Sequence, residues 1–404
     1  MNDSRLQRIQ SLQFSDKVAA EALLLDFVRA TFPNLDVIGV ELRPLAVSLN
    51  SFNGFLALAD GGRLFFKTHV EPGSVINEYY NSTLLAQSGY PVILPRYAST
   101  EYGKQFLIYD VIESPSVFDV AHAIERGERD DLPELTAAQN RADDQLLQIY
   151  SRTWEPQTAD ETANAAVQQL FYHRLGARYN SFYAGKPLQL PNCEIIWETL
   201  CSRQWQINGV QHRGTLGEAI ACARESLLPA QEGPSIVGHG DAHNGNVFFT
   251  SNGLVYFDPA FGGRHHPLLD LAKPLFHNVF ATWMYHPIEV AAGLNITLHD
   301  DGVTLKVEHD YDPSACRRMF FQSKMEHVLK PLGNELRKQP AWRTFLKSAL
   351  MCCPLLTMNL ADSSRFPTAI TLLGLCFAVE MGMESSGAER NILNQTLDEI
   401  EEPA

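Results

Sequence analysis

The sequence predicts an α+β protein in which a smaller, β-rich first part precedes a larger, mainly helical second part. Short apolar runs separated by turn residues dominate residues 1–112, whereas apolar residues at helical spacing dominate residues 113–404. The charge distribution changes as well, because Asp and Glu outnumber Lys and Arg by 2 in the first range and by 13 in the second. We therefore expect a domain boundary near residue 112.

The first part is predicted to begin with a helix and to continue as a small sheet. A helix is expected over residues 16–31, with Ser15 as its N-cap. Residues 54–59 and 63–68 flank Asp60-Gly61-Gly62, a pattern typical of a β-hairpin. Further predicted elements are a helix over residues 74–87 and a strand over residues 105–112.

The second part is predicted to be helical with short β interruptions. One interruption is a hairpin over residues 295–307, where Asp301-Gly302 separates two alternating runs. Residues 348–361 and 366–379 are uncharged runs of 14 residues each. Because a membrane-spanning helix needs ~20 apolar residues, we interpret these runs as buried helices and expect no membrane association.

Composition excludes several classes of function. The chain has 404 residues, is 45% apolar and 20% charged, and carries a formal net charge of −15. A chain this acidic is a poor candidate for binding nucleic acid, which requires clustered Lys and Arg. The first residues lack the apolar core of a secretory signal, and the seven cysteines include no Cys-x-x-Cys pair. We expect a reduced, cytoplasmic protein whose oligomeric state the sequence leaves open.

The most informative stretch lies in the second part. His239-Gly240-Asp241 is followed by Asn246, then by Asp258 twelve residues later, then by Asp270 after twelve more. A loop that presents a carboxylate and an amide, followed by a hairpin that returns a second carboxylate, supplies the hard oxygen atoms that Mg²⁺ prefers. A carboxylate at the loop tip could also accept a proton from an attacking hydroxyl.

This succession resembles the signature of the aminoglycoside phosphotransferase/choline kinase family, which shares the protein-kinase architecture. The stretch from Asp258 to Gly263 also looks like the fructosamine-kinase branch. The resemblance extends over roughly residues 45–275. It implies a bilobal protein-kinase-like fold, with a nucleotide-binding lobe over residues 1–112 and a catalytic, acceptor-binding lobe over residues 113–404.

The resemblance also implies roles for individual residues. Asp241 looks like the general base or positioning group for an acceptor hydroxyl, and Asn246 and Asp258 look like Mg²⁺ ligands. Lys67, at the end of Leu-Phe-Phe-Lys in a predicted strand, would contact the α- and β-phosphates of ATP, and Glu78 in the following helix would orient it.

Further implied contacts concern the nucleobase, the phosphates and the loop itself. The backbone of Tyr109 and Val111 would meet the nucleobase. The expected phosphate-covering loop has one glycine instead of several, so that Ser48, Ser51 and Asn53 would contact the phosphates instead, and ATP and GTP both stay open. His239 and Asp270 would be structural, with Asp270 holding the loop through backbone N–H groups.

Three hypotheses about function follow. The leading one is a small-molecule kinase that transfers a phosphoryl group to an acceptor hydroxyl; the acidic second part would suit a cationic acceptor. Candidate acceptors are an aminoglycoside, an amino alcohol, a sugar or a related metabolite. The second hypothesis is a nucleotide-binding pseudokinase. The third is a metal-dependent hydrolase with an N/O cluster, formed by His239, Asp241, His243, Asp258, His265 and His266.

Overall fold

The computed structural model describes residues 5–43, 51–69, 74–101, 103–386 and 391–402. The chain divides into two compact units. The first contains Met1–Pro115 and Val255–Gly262, and the second contains Ser116–Leu254 and Gly263–Ala404. The sequence predicts two continuous ranges, whereas the first unit also takes in Val255–Gly262. The predicted α+β class is confirmed, because the described part of the first unit is rich in strands and that of the second is mainly helical.

A five-stranded antiparallel sheet forms the centre of the first unit. The predicted hairpin is confirmed, since Ser51–Leu58 pairs with Arg63–His69. The register sets Lys67 opposite Asn53 on one side and opposite Leu107 on the other. In spatial order the strands are Val37–Leu42, Ser51–Leu58, Arg63–His69, Phe106–Asp110 and Tyr97–Ser99. The helices of this unit are Arg5–Leu12, Lys17–Thr31 and Ser74–Ser88.

The helix Lys17–Thr31 buries one face against this sheet. Phe27 of the helix contacts Phe106 of the sheet at 5.8 Å between ring centroids, and Phe106 stacks on Phe66 at 5.0 Å. The prediction that Ser15 caps this helix is wrong. The carboxylate of Asp16 accepts the hydrogen bond from the Ala19 N–H, because Asp16 directly precedes the first helical residue.

Buried helices form the core of the second unit. Every residue of Pro267–His277 is buried, and Trp342–Leu356 and Thr368–Gly382 are buried over most of their length. These last two helices contain most of the uncharged runs, so the prediction of buried helices at those positions is confirmed. The remaining α-helices are Val117–Glu125, Leu132–Thr153, Ala159–Asn164, Tyr172–Phe182, Trp197–Ser202, Leu216–Ser226, Thr282–Tyr285, Pro287–Gly293, Ala315–Lys324, Gly333–Leu336 and Ile392–Glu401.

Short strands complete the second unit. The predicted hairpin is confirmed, because Ile296–Asp300 pairs antiparallel with Thr304–His309. Thr304–His309 also pairs in parallel with Gln204–Ile207, so the hairpin extends a mixed sheet. The other strands are Glu155–Gln157, Pro187–Leu190, Cys193–Ile196, Val210–His212, Gly233–Gly238, Val247–Thr250, Gly253–Tyr256, Gly263–His265 and Ser385–Ser386, and short 3-10 or π turns cover Ala166–Leu170, Asn244–Asn246 and Met325–Leu329.

None of the helices in the described ranges combines the length and the apolar character needed to cross a lipid bilayer.

Candidate active site

A loop of the second unit carries the residues at the centre of the predicted site. Strand Gly233–Gly238 leads into it, His239 is fully buried, and the short turn Asn244–Asn246 ends it. The Asn246 side-chain nitrogen donates to the peptide carbonyl of Asp241 at 2.9 Å. This bond fixes the amide of Asn246 and turns its oxygen away from the Asp241 carbonyl.

Asp270 braces the start of this loop. Its Oδ1 accepts from the Gly240 N–H at 2.5 Å and lies 3.1 Å from His265 Nε2, and its Oδ2 accepts from the Tyr150 hydroxyl at 2.5 Å. Burial alone would raise the pKa of Asp270, but these hydrogen bonds and the charge of His265 lower it to about 2. The backbone contact expected of Asp270 is confirmed by its bond to Gly240.

Gly238, just before the loop, shows how close this brace lies to the backbone. A Cβ atom at Gly238 would lie 2.6 Å from both Asp270 Cγ and His265 Nε2. Any side chain larger than hydrogen would therefore displace the brace.

A second brace holds the middle of the loop. The Asn244 N–H donates to Asn278 Oδ1 at 2.7 Å, and the Asn278 carbonyl accepts from the Arg317 guanidinium at 3.4 Å. Arg317 is 1% exposed and forms a two-pronged pair with Glu125 at 2.7 and 2.8 Å. No sequence pattern predicted this chain of contacts, because its members are distant in sequence and belong to no local motif.

The carboxylate of Asp241 lies among positive groups. Its Oδ1 is 3.5 Å from Lys273 Nζ and 4.0 Å from His243 Nε2, and it has no hydrogen-bond partner within the described part of the chain. Burial raises the pKa of Asp241, but the charges of Lys273, His243, His239 and Arg174 outweigh burial and lower it. Asp241 is therefore an ionised carboxylate whose Oδ1 is buried beside Lys273, while its side chain as a whole is still 16% exposed.

Lys273 is a functional candidate that the sequence analysis missed. Its side chain is only 5% exposed, and Nζ lies 3.1 Å from His277 Nε2. The Tyr285 hydroxyl lies 2.9 Å from His277 Nδ1. Burial and the neighbouring charges hold the pKa of His277 well below its usual range, so its neutral ring accepts a hydrogen bond from the Lys273 ammonium. The spacing of Asp270, Lys273 and His277 along one helix was the only sequence signal for this arrangement.

The first unit contains the predicted phosphate-binding lysine. Lys67 Nζ lies 2.5 Å from Asp258 Oδ1, and the two side chains are 15% and 37% exposed. Asp258 has a positive φ of 55°, which is uncommon outside glycine. Its segment is tied to the first unit by hydrogen bonds from the Ile93 N–H to the Tyr256 carbonyl and from the Asn81 amide to the Pro259 carbonyl.

The other residues predicted to bind nucleotide are described only in part. Tyr109 is buried in strand Phe106–Asp110, and Val111 directly follows that strand. Asn53 lies opposite Lys67 in the sheet. Ser48 lies outside the described residues, as do the side chains of Ser51 and Glu78, so these predictions stay as they are.

The histidines proposed for a hydrolase cluster are directed to different partners within the second unit. His265 faces Asp270, and His266 Nε2 lies 3.1 Å from Gln339. Among the described residues, ligand atoms lie within 4.8 Å of one another only in a different group, formed by His122, His286 and Glu289. The rings of His122 and His286 stack in parallel, 3.9 Å apart at an interplanar angle of 5°, so their nitrogen lone pairs do not converge on one ion.

Comparison with known proteins identifies the family. The model of the phosphotransferase enzyme family matches residues 47–295. The chain belongs to this family. The resemblance drawn from the loop and its following aspartates is thereby confirmed, and the expectation of a phosphotransferase is confirmed at the level of the family.

Individual relatives of this phosphotransferase are distant. A Vibrio vulnificus protein named as a probable ketoamine kinase is 27% identical over 142 residues, which span 32% of this chain and 49% of the relative. The match thus spans about half the length of that curated relative.

The similar solved structures are also distant. An amicoumacin kinase in complex with AMP-PNP, Ca²⁺ and Ami is 14% identical, with a TM-score of 0.49 and coverage of 88% of this chain and 92% of that one. A macrolide 2′-phosphotransferase from Brachybacterium faecium is 13% identical, with a TM-score of 0.40 and coverage of 91% and 99%.

Proposed function

We propose that this phosphotransferase moves the γ-phosphoryl group of ATP to a hydroxyl of a small molecule. The observation that carries the proposal is Asp241, which is ionised, lies on a loop braced from two sides, and has a side chain that is still 16% exposed. A carboxylate held in this way can accept a hydrogen bond from the acceptor hydroxyl and direct the oxygen towards phosphorus. Positioning of this kind supplies much of the rate enhancement in phosphoryl transfer.

The residue types proposed as ligands suit Mg²⁺ beside a nucleoside triphosphate. Asn246 offers an amide oxygen and Asp258 a carboxylate, and hard oxygen atoms are the ligands that Mg²⁺ prefers. When bound, the metal and the nucleotide supply the phosphoryl group and neutralise the charge that develops on it. We propose Asn246 and Asp258 as the metal ligands and Lys67 as a phosphate contact oriented by Glu78.

The contact of Lys67 with Asp258 supports this assignment. An ammonium and a carboxylate at 2.5 Å, both still reached by solvent, form a polar centre that a metal–phosphate group can enter by replacing each partner of the pair. The lysine would then face phosphate oxygens and the carboxylate would face the metal. Tyr109 and Val111 for the nucleobase, and Ser48, Ser51 and Asn53 for the phosphates, complete the proposed nucleotide site.

The proposal leaves the chemical identity of the acceptor open. The overall charge favours a cationic acceptor, but the groups around Asp241 in the second unit include Lys273, Arg174 and His243. Burial and the nearby Arg178 lower the pKa of Arg174 to about 10, so Arg174 stays charged at neutral pH. A useful acceptor panel therefore includes ketoamines, which the name of the Vibrio relative suggests, together with aminoglycosides, amino alcohols, neutral sugars and hydroxy acids.

The test is turnover of ATP with Mg²⁺ against this panel, with phosphorylated product detected by mass spectrometry. Asp241→Asn should lower kcat by about 10²–10⁴-fold on the acceptor that is phosphorylated, because loss of a positioned base or hydrogen-bond acceptor has effects of this size. Asp130→Asn makes the same change at an exposed loop position and should leave kcat unchanged. Removal of divalent metal with EDTA should abolish turnover, and added Mg²⁺ should restore it.

The same experiment separates the competing functions. Nucleotide binding with no turnover on any acceptor would favour a pseudokinase. Substrate hydrolysis without ATP would favour the hydrolase. Turnover that survives unchanged in Asp241→Asn would overturn the assigned role of the loop while leaving the family intact.

A further inference from the structure

A cavity of about 240 Å³ lies within the second unit, in a place that the proposed reaction does not use. Its wall is formed by the turn after Pro267–His277, the end of strand Thr304–His309, and the helices Ala315–Lys324 and Thr368–Gly382. Pockets for drug-sized ligands are usually ~300–1,000 Å³. This cavity is therefore large enough for a small molecule of a few carbon atoms and too small for a nucleotide.

Aromatic rings form much of the wall. Phe280 lies 6.1 Å from Phe321 and 5.7 Å from Phe377 between ring centroids, and Tyr311 lies 5.6 Å from Phe377. All four residues line the cavity. The π-face of an aromatic ring is electronegative and attracts a cation placed over it within about 6 Å.

One carboxylate accompanies these rings. Glu380 lies one helical turn after Phe377 and also lines the cavity. Its carboxylate makes no hydrogen bond and no ion pair with the residues that the structure describes, whereas its peptide carbonyl accepts from Lys347 Nζ and Asn391 Nδ2 at 3.4 Å each. Glu380 is half-buried, and the charge of Lys347 acts on its carboxylate from outside the cavity wall. A carboxylate in such a place is stabilised further by a positive charge or a hydrogen-bond donor brought to it.

The other polar groups of the wall do not meet this need. Arg318 donates to the Pro313 carbonyl and pairs with Asp312, so its charge is already matched. Burial lowers the pKa of His309, which leaves its ring neutral at pH 7. Among the described residues that line the cavity, none is seen to pair with the Glu380 carboxylate, and the charge that acts on it comes from Lys347 outside the wall.

We infer that this cavity binds a small organic cation, a protonated amine or a quaternary ammonium, with the aromatic rings around its charge and the Glu380 carboxylate as counter-ion. The hydrophobic wall suits the carbon atoms of such a ligand, and the carboxylate suits its charge. No hydrogen bond or ion pair of the described residues joins the cavity wall to Asp241 or Lys273. The inference therefore concerns a second binding site and does not depend on the proposed reaction.

The test uses the full chain and three probes: tetramethylammonium, n-propylammonium and tert-butanol, the last a neutral molecule close in shape to tetramethylammonium. Saturation-transfer NMR and isothermal titration measure their binding. We expect at least one of the two cations to bind and tert-butanol to bind more weakly. Glu380→Gln should weaken cation binding by about tenfold or more, whereas Glu335→Gln, at a partly exposed helix position outside the cavity wall, should leave it unchanged.

A pH series on the wild-type chain gives a second readout that needs no variant. Burial raises the pKa of Glu380 to about 7, so its carboxylate ionises between pH 6 and pH 7.5 and cation affinity should increase over that interval. Burial lowers the pKa of His309 and raises that of Tyr311 to about 12, and Arg318 remains paired with Asp312. Lys347, on a neighbouring helix, has a pKa of about 8, which sets the upper limit of the series.

Three results would overturn the inference. The first is equal binding of tert-butanol and the cations, which would make the cavity merely apolar. The second is cation binding that Glu380→Gln leaves unchanged, because the charge would then be recognised elsewhere. The third is no binding of any probe by the folded wild-type chain. Phosphoryl transfer would be unaffected by each of these results.

Discussion

Each unit of this phosphotransferase contains a lysine beside an aspartate, and the two pairs differ in how closely the lysine contacts the carboxylate. In the first unit, Lys67 contacts Asp258 directly at 2.5 Å, and both side chains are partly exposed. In the second unit, Lys273 lies 3.5 Å from Asp241 and 3.1 Å from the neutral ring of His277. Because Lys273 has a second partner, Asp241 is stabilised as an anion while its Oδ1 remains without a hydrogen-bond partner among the described residues.

The contacts that hold the two aspartates in place differ as well. The Asp241 loop is braced by buried contacts to Asp270 and Asn278. The Asp258 segment is held mainly by hydrogen bonds between peptide groups, such as that from the Ile93 N–H to the Tyr256 carbonyl. The comparison indicates that the proposed acceptor-positioning group is rigidly fixed, whereas the proposed metal ligand lies in an ion pair that solvent and ligands can reach.

The largest expected effect comes from removing the brace of the second unit. Asp270→Asn takes away the charge that Gly240, Tyr150 and His265 share, and loss of one partner from a buried charged network costs about 3–5 kcal/mol. We expect a large fall in the free energy of unfolding, measured by urea denaturation, together with loss of turnover. Tyr150→Phe removes one hydrogen bond to the charged carboxylate and should cost only about 1.5–3 kcal/mol.

The pH dependence of this effect has a definite sign. Because the pKa of Asp270 is lowered to about 2 by its partners, its contribution to stability is present above the unfolded pKa of ~3.9 and is lost as the pH falls towards 2. The difference in unfolding free energy between wild type and Asp270→Asn should therefore shrink as the solution is acidified over that interval. A difference that stays constant down to pH 2 would show that the charge of Asp270 is not what holds the loop.

The next largest effect should fall on activity rather than stability. Lys67→Met removes the proposed phosphate contact, and loss of one preorganised electrostatic contact to the transferring group lowers kcat by about 10²–10³-fold. The folded state should lose less than about 1 kcal/mol, because the pair with Asp258 is partly exposed. Steady-state kinetics and thermal unfolding measure the two quantities separately.

The matched control for this prediction lies in the same strand. Arg63 is 2.6 Å from Glu41 in an exposed ion pair, so Arg63→Met removes a cation and a salt bridge without touching the proposed site. Its kinetics should match those of the wild type. If Lys67→Met were as active as Arg63→Met, the role assigned to the first pair would be wrong.

The smallest expected effect concerns the lysine of the second pair. Lys273→Met should lower kcat about 10–100-fold, since a contact between charged groups is worth about 1.5–3 kcal/mol. Lys273→Arg keeps the charge and should recover part of the loss. If both variants were equally impaired, Lys273 would act by filling space in the core. If neither were impaired, Lys273 would not contribute to catalysis, and the difference between the two pairs would have no effect on activity.

Local patterns in the sequence predicted much of the first unit and the chemistry of the loop. The turn Asp60-Gly61-Gly62 and the hairpin over residues 295–307 were predicted from residues adjacent in the chain, and both hairpins are present. The loop from His239 to Asn246, followed by Asp258 and Asp270, resembled the family that the comparison then confirmed. The prediction of Ser15 as the N-cap was wrong because Ser15 and Asp16 can both cap a helix. The position of the first helical residue decides between them.

What the sequence determined by itself was therefore the set of residue types and their order: the loop, its following aspartates, the strand lysine and the hairpins, all of which depend on spacings of a few residues. The tertiary structure decided which groups meet. Tyr150 reaches Asp270 across 120 positions, and Arg317 reaches Glu125 across 192. Such contacts produce no periodic pattern in the sequence, because a buried partner can come from any element that packs nearby. For the same reason the partnership of Lys273 with His277 and the position of the Glu380 carboxylate in an aromatic cavity wall became visible only in the folded chain.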